Sequence, residues 1–302
     1  MRSSDRIALG RRALGPVGAF LPNNAGAPLP PAAAQREAVR RLERAGYQAV
    51  WNNEEVGGKD GLVQLGVLLA ATERMTFGTA IANIWARPPQ TAHGAAALLA
   101  DAYPGRFVLA LGAGYPAQAA QVGRDYGRPL AVVRDYFEQM TAGQVPALSY
   151  PRILAANGPK MLALAAEIAD GAMPLLVPPE HTANARQVLG PDKLLVVGLT
   201  AAVDDDPGRA RATARRFVSE TVRPGSPYAL NLTRLGYSEE DVSAASDKVV
   251  DAIVAWGSPE QVLAGIRRHL DAGADHVRLG TIAPDFESGL AALEQLAPAL
   301  TR

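Results

Sequence analysis

The stretch Met75-Thr76-Phe77-Gly78-Thr79-Ala80-Ile81-Ala82-Asn83-Ile84-Trp85-Ala86-Arg87-Pro88-Pro89 decides how the rest of the chain is read. It opens as a short apolar run of strand type, without a helical repeat. It stops at a Pro-Pro pair, which cannot extend a ladder because proline has no N–H. A helical pattern starts again at Gln90-Thr91. A buried strand therefore ends abruptly and delivers Ala80, Ile81, Ala82 and Asn83 to a loop. In parallel α/β proteins the carboxyl ends of strands are where ligands sit.

Units of the same kind lie on both sides of this strand. Upstream, residues 15–21 read as a first strand closed by Pro22-Asn23-Asn24. Residues 32–45 form an amphipathic helix stopped by Gly46, 47–51 a second strand, and 61–72 the next helix. Downstream, helix 93–103, strand 106–111, helix 130–142 and a loop over 143–151 follow. Strand 152–156, helix 160–169, strand 171–177, helix 180–189 and a seventh strand over 194–203 come next. Helix 259–272, an eighth strand over 276–280 and a closing helix over 286–300 complete the series. Eight mostly apolar strands alternating with helices predict a (β/α)8 TIM barrel, a single α/β domain spanning residues 1–302. Residues 208–256 form an oversized connection, expected as a helical insertion after strand seven near the barrel mouth. The polar, Arg-bearing residues 1–12 are expected as a flexible tail.

Composition narrows the chemistry. The chain has 302 residues, 48% of them hydrophobic, enough for a large core. Lys and Arg number 30 and Asp and Glu 30, so no net field recruits nucleic acid or an anionic membrane. Cysteine is absent, which removes disulfides, thiolate catalysis and Cys-ligated metals. No His-Glu-x-x-His pattern, His cluster or acidic calcium loop is present, and no metal is expected. No signal-peptide core or bilayer-length apolar run is visible, so a cytoplasmic protein acting on a small molecule is expected.

Three strand ends carry candidate chemistry. Glu54 and Glu55 follow strand two. Neighbouring strand residues face opposite sides, so only one of them enters the mouth. A partly buried glutamate there can carry a proton; a solvated loop acid is the other reading. Leu111-Gly112-Ala113-Gly114-Tyr115 follows strand four, where two glycines let backbone approach a ligand closely. Ala156-Asn157-Gly158-Pro159-Lys160-Met161 follows strand five. There Gly158 permits a special backbone conformation and Pro159 starts a helix whose free N–H groups favour an anion. Lys160 adds a phosphate partner. Trp51, Trp85 and Tyr115 suggest an apolar mouth. His181 and His269 read as surface residues.

The quoted stretch resembles the third strand of the bacterial luciferase-like family, in its deazaflavin-dependent branch. Members there read small-Ile/Val-small-Asn, then an aromatic residue, Arg and Pro; here these are Ala80, Ile81, Ala82, Asn83, Trp85, Arg87 and Pro88. The likeness extends from Val17 to about Val277 and includes Leu111-Gly112-Ala113-Gly114, Gly158-Pro159 and Ala165-Ala166-Glu167-Ile168-Ala169-Asp170-Gly171. It implies a non-proline cis peptide at Ala80–Ile81 under a flavin-like ring, and cofactor contacts from Ala80, Ile81, Asn83, Gly112 and Gly114. It also implies a phosphate site made by Ala156, Asn157, Gly158, Pro159, Lys160 and Met161. Glu54 matches an acidic position beside the ring. Glu55 stands where some relatives carry a catalytic His, and Tyr115 where some carry a catalytic Glu. The implied activity is hydride transfer with coenzyme F420, in a homodimer. An FMN-dependent monooxygenase fed by a flavin reductase is the alternative, and a non-catalytic flavin-binding protein is a further one.

Overall fold

The computed structural model describes residues 1–23, 30–142 and 147–300. Asn24, expected in the first turn, and Gly143–Pro146, expected in a loop, lie outside the described residues.

The strands are β1 (Val17–Phe20), β2 (Ala49–Asn52), β3 (Thr76–Thr79), β4 (Ala82–Asn83) and β5 (Phe107–Gly112). They continue as β6 (Arg152–Ala155), β7 (Gly171–Met173), β8 (Leu194–Val203), β9 (Val254–Gly257) and β10 (His276–Thr281). Their order is β10-β1-β2-β3-β5-β6-β7-β8, and β8 pairs back onto β10, so the sheet closes. Every pairing is parallel. β4 resumes the line of β3 after the interruption at Ala80-Ile81 and pairs with β5. Counting β3 and β4 as one, this is the eight-stranded barrel that the alternation of elements predicts.

Helices α1 (Ser3–Leu14), α2 (Ala32–Arg44), α3 (Gly61–Leu69), α4 (Pro89–Ala102), α5 (Pro116–Gln121) and α6 (Pro129–Thr141) lie in the first half. Helices α7 (Pro159–Ile168), α8 (Pro179–Leu189), α9 (Pro207–Thr221), α10 (Pro227–Arg234) and α11 (Glu239–Ser243) follow. The last are α12 (Asp247–Ile253), α13 (Pro259–Asp271) and α14 (Phe286–Leu300). Many open on proline at the first helical position, where a missing N–H costs nothing.

Alternation along the strands builds two cores. Outward residues such as Val50, Phe77, Leu109 and Val277 pack under the helices. Inward residues Ala49, Trp51, Val108, Ala110, Ile153, Met173 and Val196 fill the lumen. Trp51 fits because its neighbour on β3 is Gly78; a Cβ there would lie 2.2 Å from the indole. Trp51 is therefore lumen core, not lining of the mouth as expected. Its Nε1 donates to His276 Nε2 at 2.9 Å. The other ring nitrogen, His276 Nδ1, is 2.7 Å from the Gly15 carbonyl, which makes it the protonated one.

The expected flexible tail is instead helix α1, which plugs the amino-terminal end of the barrel. Ile7 and Leu14 join the lumen cluster, and Gly10 packs so closely that a Cβ would stand 2.8 Å from Leu194. Arg6 forms a buried two-pronged pair with Asp170, at 3.0 and 2.8 Å. Arg11 reaches Asp275 at 2.8 Å. The burial stripe Ile7, Gly10, Leu14 has helical spacing, but the charged residues around it disguise the pattern.

The 208–256 insertion is helical through Ile253, then departs from expectation: Val254–Gly257 is a strand on the far end of β8. Its two ends meet, because Asp204 N donates to the Gly257 carbonyl at 3.1 Å. The insertion has its own apolar centre, in which Val218, Leu232, Val249 and Ile253 pack over Leu176 and Ala202. His181 and His269 also differ from expectation: each is only 2% exposed. Among the described residues no helix is long and apolar enough to cross a membrane.

Candidate active site at the barrel mouth

The site is organised by the break between β3 and β4. The Ala80–Ile81 peptide is cis, at the position the resemblance implies. Both residues are half-exposed and present an apolar floor at the carboxyl end of the barrel. Their backbone is held from β2: Ala80 N donates to the Asn52 carbonyl at 2.5 Å and Glu54 N to the Ile81 carbonyl at 3.1 Å.

Glu54 is the clamp of this break. Its side chain is buried, with Oε2 accepting the amide of Asn83 at 2.9 Å and Oε1 the amide of Gly61 at 2.9 Å. The guanidinium of Arg87, just past β4, reaches both carboxylate oxygens and also pairs with Asp60 at 2.9 Å. Both oxygens are thus occupied by donors of the chain itself. Glu55 points the other way and is exposed. The pair splits as expected, although both residues lie past the end of β2, and the residue that enters the fold is Glu54.

The Gly112–Tyr115 loop is tied to the same break. Asn83 Oδ1 accepts from Trp85 N at 3.0 Å, and Asn83 Nδ2 donates to Gln118 Oε1 at 3.1 Å. Gln118 Oε1 also accepts the amide of Tyr115 at 2.9 Å. Gly114 has φ +57°, and a Cβ there would lie 2.0 Å from Gln118 Oε1, so only glycine fits. Trp85 is buried, its indole N–H given to the Ala113 carbonyl at 2.7 Å. Tyr115 alone of the three expected mouth aromatics is open, at 45% exposure. Its hydroxyl meets that of Tyr228 of α10. Burial, then the neighbouring Tyr115 phenol, push the Tyr228 hydroxyl above the ordinary tyrosine value.

The third loop runs from β6 into the N-terminus of α7. Asn157 does not face the mouth: its side chain brackets Leu175, donating to the Leu175 carbonyl at 2.8 Å and accepting its amide at 2.9 Å. The Asn157 carbonyl is held by His181 Nε2 at 2.7 Å. The buried His181 thus braces the turn, and burial lowers its pKa. Gly158 caps α7 with φ −80° and ψ 154°, an ordinary extended geometry rather than the special one expected. What its lack of a side chain provides is space: a built Cβ meets only Arg234 Nη1, at 3.7 Å. The amides of Met161 and Leu162 close on the Gly158 carbonyl, while those of Gly158 and Lys160 have no acceptor among the described residues. Two free amides and a helix N-terminus therefore lie beside the exposed Arg234 guanidinium, and the exposed Lys160 follows on the first turn of α7. Ala156 is buried beneath this turn, and Met161 is half-buried on the first turn of α7.

Sequence reasoning missed Arg234 and Tyr228, which arrive from the insertion without a local signal. It also passed over Arg278, although a charged residue in the apolar run Val277-Arg278-Leu279 breaks the pattern.

An apolar floor beside a helix N-terminus, on the carboxyl face of a closed parallel barrel, is the place where enzymes of the barrel class hold their ligands. The chain belongs to the luciferase-like monooxygenase family, whose model matches residues 16–276. It is 25% identical to the 5,10-methylenetetrahydromethanopterin reductase of Archaeoglobus fulgidus over 303 aligned positions, covering 83% of this chain and 91% of that one. A Mycobacterium tuberculosis protein named as a coenzyme F420-dependent oxidoreductase is 30% identical over 179 positions, 47% of this chain and 51% of that one. The F420-dependent tetrahydromethanopterin reductase of Methanopyrus kandleri superposes with a TM-score of 0.75 at 17% identity, over 96% of this chain and 99% of that one.

Proposed function

We propose that this protein is an F420-dependent oxidoreductase acting on a small organic substrate. The observation that carries the reading is the open cradle at Gly158, set beside the apolar floor of Ala80 and Ile81. The residues fit such a cofactor. The amides of Gly158 and Lys160, with the Lys160 and Arg234 side chains, would hold its phosphate, and Ala80 and Ile81 would face its ring. The chemistry supplied by the bound deazaflavin is hydride transfer to or from the substrate.

The chain's own part is placement and exclusion of water. Glu54 fixes the backbone of Ile81 and Asn83, so the floor keeps its shape without a ligand. With both carboxylate oxygens occupied, Glu54 acts as a positioning residue rather than a proton carrier. Tyr115 and Tyr228 meet through their hydroxyls and together screen the site. Gly112 leaves the wall thin, since a Cβ there would lie 3.1 Å from the Ile81 side chain. The homodimer and the cytoplasmic location implied by the sequence belong to this proposal.

The test is titration of the purified protein with F420 and with FMN, following cofactor fluorescence. Saturable quenching of F420, weakened by Arg234→Ala, is expected. Tight FMN binding with no response to F420, together with oxygen uptake on turnover, would move the protein to the monooxygenases.

A further inference from the structure

Arg278 lies on β10, two residues beyond His276, so both side chains face the lumen. Arg278 is only 6% exposed. Its guanidinium stands 4.4 Å above the Phe20 ring and rises beside Gly198 of β8, where a Cβ would lie 2.7 Å from Nη2. Among the described residues it has neither a hydrogen bond nor an ion pair, and its Nε is a buried donor with no acceptor. Burial pulls its pKa down to about 10, with only the Tyr228 phenol opposing, and no carboxylate contributes. It is still a cation at neutral pH.

This arrangement is costly for the fold alone. Buried guanidinium groups are normally matched by a carboxylate and saturated by acceptors. Here the fold instead makes space: glycine on one neighbouring strand, an aromatic platform on the other, and a phenol from the insertion nearby. The Trp51–His276 pair below satisfies itself completely, so Arg278 is the charged group of the lumen left with open donors. The phosphate cradle follows β6, and two strands, β7 and β8, separate it from β10. The same cofactor phosphate is therefore not its partner.

We propose that Arg278, assisted by Tyr228, forms an oxyanion subsite that selects substrates bearing a carboxylate. This deepens the oxidoreductase reading and rests on it for the word substrate. The ligand's carboxylate enters between β10 and α10, its two oxygens taking the fork of guanidinium N–H groups. Its remaining carbon skeleton then extends toward Ala80 and Ile81 across the mouth.

The test uses full-length, cofactor-free protein and isothermal titration with pyruvate and benzoate, each compared with pyruvamide or benzamide. The carboxylates are expected to bind at least tenfold more tightly than their amides. Arg278→Gln should remove at least tenfold of carboxylate affinity, Arg278→Lys should restore part of it, and F420 quenching should stay within twofold of wild type. Equal binding of acids and amides by the wild-type protein would overturn the subsite without recourse to any variant. So would a folded Arg278→Gln protein with unchanged carboxylate affinity, or one that loses F420 affinity instead, which would place the guanidinium against the cofactor. Carboxylate binding in a protein that ignores F420 would sink the cofactor reading and leave the subsite standing.

Discussion

Glu54 and Asn83 are 29 residues apart in sequence, yet the carboxylate of one accepts the backbone amide of the other at 2.9 Å. The contact crosses from the loop after β2 to β4, and it fixes the floor of the mouth. Removing one partner of a buried charge pair costs about 3–5 kcal/mol. Glu54→Gln is therefore expected to lower stability by about 3 kcal/mol in urea melts, since Arg87 then faces a neutral amide and keeps only the more exposed Asp60 as a charged partner. In a double-mutant cycle with Arg87→Met, the combined loss should be smaller than the sum of the two. Additive losses would show that the pair does not act as a unit.

The two loop glycines should behave in opposite ways. Gly114→Ala forces a Cβ into a left-handed residue and against Gln118, so a loss of about 2 kcal/mol is expected. Gly158→Ala meets no steric conflict and has an ordinary φ, so melting should be unchanged. F420 affinity of Gly158→Ala should nevertheless fall about tenfold, because the methyl group occupies the anion volume. Thermal melts and quenching titrations on the two variants separate fold from binding.

Helix α1 is structural. Arg6→Met leaves Asp170 buried with Ser3 Oγ and the Arg152 amide as remaining donors. A loss of about 3 kcal/mol is expected in chemical denaturation. A change of only a few tenths would mean that the helix is an ornament on a barrel stable without it.

Acid should weaken the fold through two neutral histidines. Burial holds both His269 and His276 down at about 4, against an ordinary value of 6.5. Between these values the unfolded chain binds protons that the native protein refuses, so stability is intact above pH 6.5 and is lost as pH falls toward 4. Each group contributes about 3 kcal/mol over that window. Melting temperature against pH, in wild type and in His269→Gln, reads the slope. A flat profile from pH 7 to 4 would contradict the burial of both rings.

Much of the barrel was legible because proline and glycine punctuate it. Pro88-Pro89, Gly46 and Gly158-Pro159 mark element ends by local geometry, which needs no knowledge of the partner strand. The cradle after β6 could be read for the same reason, since a helix N-terminus is a local feature. Its second cation could not: Arg234 lies 76 residues beyond Gly158 and arrives on a helix whose placement depends on packing over β8. Helix α1 was missed because it is tied down by a buried ion pair with Asp170 and a half-buried one with Asp275, which composition reports as polarity. The partners of Glu54 were hidden for a related reason. A carboxylate at a strand end looks available until its donors are known, and besides Arg87 those donors are the backbone amides of Gly61 and Asn83, invisible to residue type.

The meeting of Asp204 with Gly257 has a corollary for engineering. Because departure and return points adjoin, everything between them is a cassette whose exchange leaves barrel closure untouched. A laboratory chimera spliced at this seam is expected to exchange Tyr228 and Arg234 together while the β8–β10 closure stays in place.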